Sequence, residues 1–135
     1  YEESLDYLKS KYENKSFTLI GYSGGGAIAT LLASKKDDIK MLITIAGNLD
    51  TDKWTSYHKI TKLDGSLNPS SYSNKLKNIK QYHLIGKKDD IIPQEIFLSY
   101  LSKFDKKDKI SHRFFNTDHN CCWEKSYKIF LDDLK

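Results

Sequence analysis

Arginine and long apolar runs are scarce in this chain, and each scarcity argues against one class of function. Of its 22 basic residues all but Arg113 are lysine, so the planar guanidinium that suits phosphates and base edges is nearly absent. The basic residues alternate with 18 acidic ones, which is typical of a solvated surface, and we predict no nucleic-acid partner. No apolar run approaches the roughly 20 residues of a membrane-spanning helix, so we predict no membrane span.

Cysteine is also scarce, and its placement is unusual. The two cysteines, Cys121 and Cys122, are adjacent, which excludes an ordinary disulfide framework within one chain. Together with His119 they could be drawn as a metal cluster, but the spacing matches no zinc pattern. We therefore predict no metal site.

The length and composition indicate a single folded domain over residues 1–135. A chain of 135 residues with 39% hydrophobic content can bury a substantial core. Helical periodicity joins Tyr1, Leu5, Leu8 and Tyr12 in an opening amphipathic helix that Asn14 closes.

The most informative motif is Gly21-Tyr22-Ser23-Gly24-Gly25. It lies between a strand-like run at 17–20 and a helix-like run from 26 to about 36, and it fits the Gly-x-Ser-x-Gly nucleophile elbow. Such a turn forces the serine into a strained backbone conformation and brings strand and helix close together. We expect a side chain at Gly21 or Gly25 to clash.

Two other glycine motifs are weaker matches to the same residues. A P-loop requires Lys and then Ser or Thr after its last glycine, whereas Ala27 and Ile28 follow Gly26. A Rossmann fingerprint could be counted from Gly24 with Ala29 in its last place. It also requires an acidic residue at the end of the next strand to hold a ribose, and the only candidate, Asp50, comes after an Asn-Leu extension. A phosphate-binding turn at the start of the helix therefore stays open as an alternative.

Strand and helix patterns alternate along the chain, which predicts a parallel α/β sheet flanked by helices. Pro93 suits the first turn of a helix. The segment 48–78 breaks the alternation. It is either a lid-like insertion, in which Trp54, Tyr57 and Leu67 cover a pocket, or an irregular surface connection with one short helix. The predicted strands are 17–22, 41–45, 81–86 and 110–115, and a helix with apolar positions from Trp123 to Leu134 closes the chain.

A serine hydroxyl requires a base and a group that orients the base. Two loops at the carboxyl ends of strands carry candidates, namely Asp89 or Asp90 on one and His119 on the other. The chain order is serine, aspartate, histidine. His83 and His112 lie inside strands, where a structural or surface imidazole is expected. His58 lies in the 48–78 segment, where a solvent-exposed role is favoured over contact with substrate.

On these residues the chain resembles the C-terminal half of an α/β-hydrolase. Gly86, Asp89, Ile92 and Pro93 match the Gly-x-x-Asp-x-x-Val/Ile-Pro pattern of its acid loop, and Trp123 follows His119 as in many members. The resemblance implies a partial α/β-hydrolase fold that lacks the N-terminal strands. It favours Asp89 over Asp90 as the acid, and Asp50 is a weaker alternative because some members recruit their acid after that strand.

The resemblance implies a serine hydrolase that cleaves an ester or related acyl bond through an acyl-enzyme and needs no cofactor. The implied catalytic residues are Ser23, His119 and Asp89, with the Gly24 amide in the oxyanion hole. A small acyl substrate would contact Tyr22, Trp54, Ile91 and Trp123. The alternative is a non-catalytic α/β-hydrolase-like module for binding or assembly, because strand 17–22 would present an edge for a second copy or for the missing N-terminal segment.

Overall fold

A computed structural model of the chain describes residues 1–13 and 15–134. Outside the segment 48–78, helices and strands alternate along it, as the sequence predicts. The strands are β1 (Phe17–Tyr22), β2 (Ile39–Ile45), β3 (Lys80–Gly86) and β4 (Ile110–Phe115), and the helices are α1 (Glu2–Tyr12), α2 (Gly24–Lys35), α3 (Thr51–Tyr57), α4 (Ser73–Leu76), α5 (Gln94–Ser102) and α6 (Trp123–Asp133), with a 3-10 helix at Pro69–Tyr72.

The four strands form one parallel sheet in the order β1-β2-β3-β4. The central β2 and β3 are the most buried, because helices cover both faces of a parallel sheet; Leu42 on β2 and Leu84 on β3 are at most 1% exposed. Since all strands run in one direction, the loops that leave their carboxyl ends meet at one edge of the sheet. That edge carries the candidate site.

Two glycines allow α2 to pack against the sheet. A Cβ at Gly21 would lie 2.3 Å from the Gly25 carbonyl oxygen, and a Cβ at Gly26 would lie 2.8 Å from the Gly47 Cα. The expectation for Gly21 is therefore confirmed, but the one for Gly25 is wrong, because a Cβ there meets no atom within 4 Å. Gly26 is the helix position that faces the backbone of the loop after β2, whereas Gly25 is exposed.

The segment 48–78 contains more regular structure than we expected. It forms α3, the 3-10 helix and α4, and its apolar Leu49 and Leu76 belong to the main core. Two side chains are N-caps of the first two of these helices. Asp50 accepts from the Lys53 amide and Asn68 accepts from the Ser70 amide.

Helix α1 is largely exposed. Leu5 packs against the core, whereas Tyr1, Leu8 and Tyr12 are 78%, 38% and 59% exposed. The predicted closing residue, Asn14, lies outside the described residues. No helix in the described part of the chain is long and apolar enough to cross a membrane.

Candidate active site

Ser23 lies in the sharp turn between β1 and α2. Its backbone has φ 52° and ψ −123°, a region that residues other than glycine rarely adopt. The turn is held by the Ser23 amide, which donates to the Ile45 carbonyl at 3.0 Å, and by the Asn48 amide, which donates to the Ser23 carbonyl at 3.1 Å. The strained backbone expected for this serine is present, and β2 and the loop that follows it pin the residue from both sides.

The imidazole of His119 lies between Ser23 and Asp89. Its Nε2 is 3.0 Å from the Ser23 Oγ, and its Nδ1 is 2.8 Å from the Asp89 Oδ2. A carboxylate only accepts, so Nδ1 is the donor to Asp89, and in the neutral imidazole Nε2 is then the nitrogen that accepts from the serine hydroxyl. The side chains of His119 and Asp89 are 8% and 0% exposed. The three groups form one continuous hydrogen-bonded path, here called the Ser23 relay.

The loop after β3 holds the Asp89 carboxylate in a fixed orientation. Its Oδ1 accepts from the Ile91 and Ile92 amides at 3.0 and 2.7 Å, which leaves Oδ2 for His119. Gly86 at the start of the loop permits a close approach to the histidine loop, because a Cβ there would lie 2.8 Å from the Thr117 carbonyl oxygen. Pro93 occupies the N-cap position of α5, one residue before the first turn in which we expected it, and its side chain makes no capping hydrogen bond.

Neither alternative acid is part of the relay. Asp90 is exposed, and the buried Asp50 accepts from the Ser99 hydroxyl and the Asn68 amide nitrogen. Burial acts to raise the pKa of Asp50, but its hydrogen bonds, first that from Ser99, together with the nearby charge of Lys103 outweigh burial, and the net shift is downward. Asp50 therefore joins β2 to α5 and to the loop at Asn68 as a charged structural residue.

Two aromatic side chains converge on the main-chain carbonyl of His119. The Tyr22 hydroxyl donates to it at 2.6 Å and the Trp123 Nε1 donates at 2.9 Å. Burial, followed by the nearby carboxylates of Asp89 and Asp118, raises the pKa of Tyr22, so its phenol stays a donor. Both residues were predicted to contact substrate; that role stays a prediction, and their polar ends contact His119.

A similar pair lies over the acid loop. The Trp54 Nε1 and the His58 Nε2 donate to the Ile91 carbonyl at 2.8 and 2.9 Å. The contact from His58 was missed, since we expected this residue in solvent, and no motif in the sequence pairs it with Ile91. Two further residues were predicted to belong to a lid. Tyr57 is 49% exposed with its ring against His58, whereas Leu67 lines a cavity with Tyr1 and Ile28 on the outer side of α2.

Cys121 and Cys122 are joined to each other by a disulfide between neighbouring residues. The expected absence of a framework that links distant segments is compatible with this bond, but sequence analysis did not foresee the bond itself. Since the sulfurs are paired, the cluster with His119 does not form. Within residues 1–13 and 15–134 no group of three or more His, Cys, Asp or Glu side chains is placed to hold a metal ion.

The remaining histidines lie away from Ser23. His83 is 1% exposed, and its ring nitrogens bond to the Thr44 hydroxyl and the Gln81 side chain at 2.7 and 3.1 Å. Burial, together with the neighbouring His112, lowers the pKa of His83 to about 3. His112 is exposed on β4. His83 is thus a neutral, hydrogen-bonded residue of the core.

Comparison with known proteins identifies the fold. A family model described as the alpha/beta hydrolase fold matches residues 1–65. An esterase of Pyrococcus furiosus superimposes with a TM-score of 0.78 at 16% identity, over 98% of this chain and 58% of the esterase. The chain has an α/β-hydrolase fold.

Other solved structures share this α/β-hydrolase fold. The acetyl xylan esterase of Paenibacillus sp. R4 matches with a TM-score of 0.74 and 13% identity, over 98% of this chain and 50% of the enzyme. An α/β-hydrolase enzyme from a lagoon-sediment metagenome matches with a TM-score of 0.73 and 16% identity, over 98% and 67%. No curated protein sequence matches the chain. The chain thus spans 50 to 58% of the length of the two esterases.

Proposed function

We propose that this chain carries the reactive centre of a serine hydrolase that cleaves an ester or a related acyl bond. The observation that carries the proposal is the Ser23 relay. Its imidazole lies 3.0 Å from the serine hydroxyl through Nε2 and 2.8 Å from the buried carboxylate through Nδ1. The three groups come from three loops at one edge of the sheet, and the fold is one that esterases use. A relay of this kind activates a serine at neutral pH.

In the proposed acylation, the Ser23 Oγ bonds to the substrate carbonyl carbon while its proton passes to the His119 Nε2. The Asp89 carboxylate holds the Nδ1 proton and stabilises the imidazolium. The tetrahedral intermediate then collapses, the bond to the alcohol oxygen breaks, and Nε2 returns its proton to that oxygen. Water then attacks the acyl-enzyme carbonyl while Nε2 accepts a proton from it. The acid is released, and Nε2 returns the proton to the Ser23 Oγ. Every proton in this scheme moves through Nε2.

The Gly24 amide is the proposed donor to the oxyanion. Gly24 is the first residue of α2, where the amides of the opening turn have no partner within the helix. A donor at this place lies next to the nucleophile and near the positive end of the helix dipole. Removal of one such donor typically costs about 10²- to 10³-fold in rate, so a second donor is important for full activity.

The proposed acyl pocket includes Ile91, which is 41% exposed on the acid loop, and the ring of Trp54, which lies above the same loop. Tyr22 is left outside this pocket, because its hydroxyl is bonded to the His119 carbonyl and its ring lies 5.2 Å from the His119 imidazole. An apolar wall with few polar groups suits a small acyl chain. The 48–78 segment, which contributes Trp54, is in this proposal a cover for the site.

Covalent labelling tests the proposal. A fluorophosphonate probe should add one label to the chain, Ser23→Ala should abolish it, and Ser10→Ala, which changes an exposed serine on α1, should leave it unchanged. Equal labelling of the wild type and Ser23→Ala would exclude Ser23 as the nucleophile. A panel of p-nitrophenyl esters of varied acyl length would then define the substrate class.

A second candidate function is a non-catalytic module for binding or assembly, and one observation favours it. The β1 edge is open in the described part of the chain, Ile20 is 54% exposed, and a cavity of about 280 Å³ runs along β1 and α2. Such an edge can pair with another strand. This candidate predicts self-association without labelling of Ser23, whereas the hydrolase predicts labelling.

A further inference from the structure

The carbonyl oxygen of His119 accepts two hydrogen bonds, both from aromatic side chains and each from a different element. The Tyr22 hydroxyl lies 2.6 Å from it and the Trp123 Nε1 lies 2.9 Å from it. A carbonyl oxygen has two lone pairs, so both donors are satisfied at once. The contacts attach the main chain of His119 to the end of β1 and to the beginning of α6.

The two donors stand on rigid supports close to the relay. Tyr22 is the last residue of β1 and immediately precedes Ser23. Trp123 is the first residue of α6, and its ring packs against Phe115 at the end of β4, with centroids 6.4 Å apart. The carbonyl is therefore anchored on both sides by groups that the sheet itself positions.

The loop that carries His119 depends on side chains for its shape. The Asp118 carboxylate accepts from the Asn120 and Cys121 amides and shapes the part of the loop that follows the histidine. The imidazole, however, must reach Asp89 and Ser23 simultaneously, and an error of about 1 Å in a reacting group can cost 10²-fold in rate. A main chain held from two directions limits that error.

We propose that Tyr22 and Trp123 are positioning residues that act through the His119 carbonyl and hold its imidazole in line between Asp89 and Ser23. The inference rests on the proposed function and deepens it, since it assigns the two residues to the orientation of the base and not to contact with the substrate. Neither residue takes part in proton transfer. Their effect is on how often the relay is correctly aligned.

The test uses Tyr22→Phe and Trp123→Phe, alone and combined, because each removes one donor and keeps an aromatic ring. Labelling by a fluorophosphonate is resolved into the inactivation rate constant kinact and the probe affinity KI. Each single change should lower kinact about 2- to 10-fold, the effect of one net hydrogen bond, with KI unchanged. Tyr7→Phe, which alters an exposed tyrosine of α1, is the matched control and should change neither.

A second readout does not depend on reactivity. The proton on the His119 Nδ1, bonded to a carboxylate, should give a downfield NMR resonance in the wild type and in Tyr7→Phe. It should broaden or exchange faster in each single variant and most in the double variant. Thermal unfolding is measured alongside, and if Trp123→Phe does not fold, Tyr22→Phe carries the test alone.

Three outcomes overturn the inference. One is an unchanged kinact and Nδ1 resonance in a folded Tyr22→Phe. Another is a raised KI with unchanged kinact, which would assign the residues to substrate contact. The third is loss of thermal stability with no change in either readout, which would make the contacts purely structural. Failure of the proposed function is distinct, because then Ser23→Ala labels like the wild type while the Nδ1 resonance still reports the position of His119.

Discussion

Replacing Asp89 by asparagine is the change that most specifically disturbs the Ser23 relay. The carboxylate accepts with both oxygens, since Oδ1 binds the Ile91 and Ile92 amides and Oδ2 binds the His119 Nδ1. An asparagine of the same shape has one accepting oxygen and one NH₂ group. Whichever way the amide is turned, its NH₂ group faces a donor, so one of the two sets of contacts is lost.

The size of the effect follows from those contacts. If the amide NH₂ faces His119, the imidazole must accept with Nδ1 and carry its proton on Nε2. A protonated Nε2 can no longer accept from Ser23. In addition, the variant lacks the negative charge that stabilises the imidazolium. Loss of the orienting carboxylate in relays of this type lowers the rate about 10⁴-fold, and we expect a decrease of about 10³- to 10⁴-fold in the labelling rate of Asp89→Asn.

The assay is fluorophosphonate labelling of Asp89→Asn, Asp90→Asn and Asp50→Asn, each verified as folded by thermal unfolding. Asp90→Asn changes an exposed residue and should label like the wild type. Asp50→Asn should lose stability through its contacts with Ser99 and Asn68 but label at a normal rate while folded. A folded Asp89→Asn that labels within 10-fold of the wild type would refute the reasoning.

Three further predictions concern the fold. Gly21→Ala should unfold at a much lower temperature than Gly25→Ala, because only the first Cβ meets backbone atoms; equal melting temperatures would contradict this. The pKa of the buried His83 is lowered to about 3, so between about pH 6.5 and pH 3 the unfolded chain binds a proton that the folded chain does not. The unfolding free energy should therefore fall over this range as the pH is lowered. If the unfolding free energy of His83→Gln fell with pH as steeply as that of the wild type, the prediction would be wrong. The open β1 edge should cause self-association that Ile20→Lys weakens, and light scattering that shows a monodisperse wild-type monomer, with rapid amide exchange at 17–20, would argue against this.

Local patterns in the sequence were sufficient for most of the fold. The strands at 17–22 and 110–115 are found where the apolar runs predict them, and the parallel sheet follows from the alternation of elements. At most one short helix was expected in the segment 48–78, where the structure has α3, a 3-10 helix and α4. These helices are short and depend on capping and on burial of Leu49 and Leu76 against distant residues.

The candidate site was predictable only where a motif marks it. Ser23, Asp89 and His119 lie together as the motif and the chain order indicate, and their catalytic roles stay predictions. The contacts of Tyr22, Trp123 and His58 were not predicted, since they depend on where the tips of long side chains end in space. The sequence also could not show that Gly26, and not Gly25, is the position where a side chain would clash, because that depends on which face of α2 meets Gly47.

The most direct test of the account is to trap the acyl-enzyme. The chain is mixed with a p-nitrophenyl ester, quenched rapidly in acid and digested, and the adduct is located by mass spectrometry. The account predicts a burst of p-nitrophenol and one acyl group on the peptide that contains Ser23, both lost in Ser23→Ala. Ester cleavage without an adduct on Ser23, or an equal burst from Ser23→Ala, would contradict it.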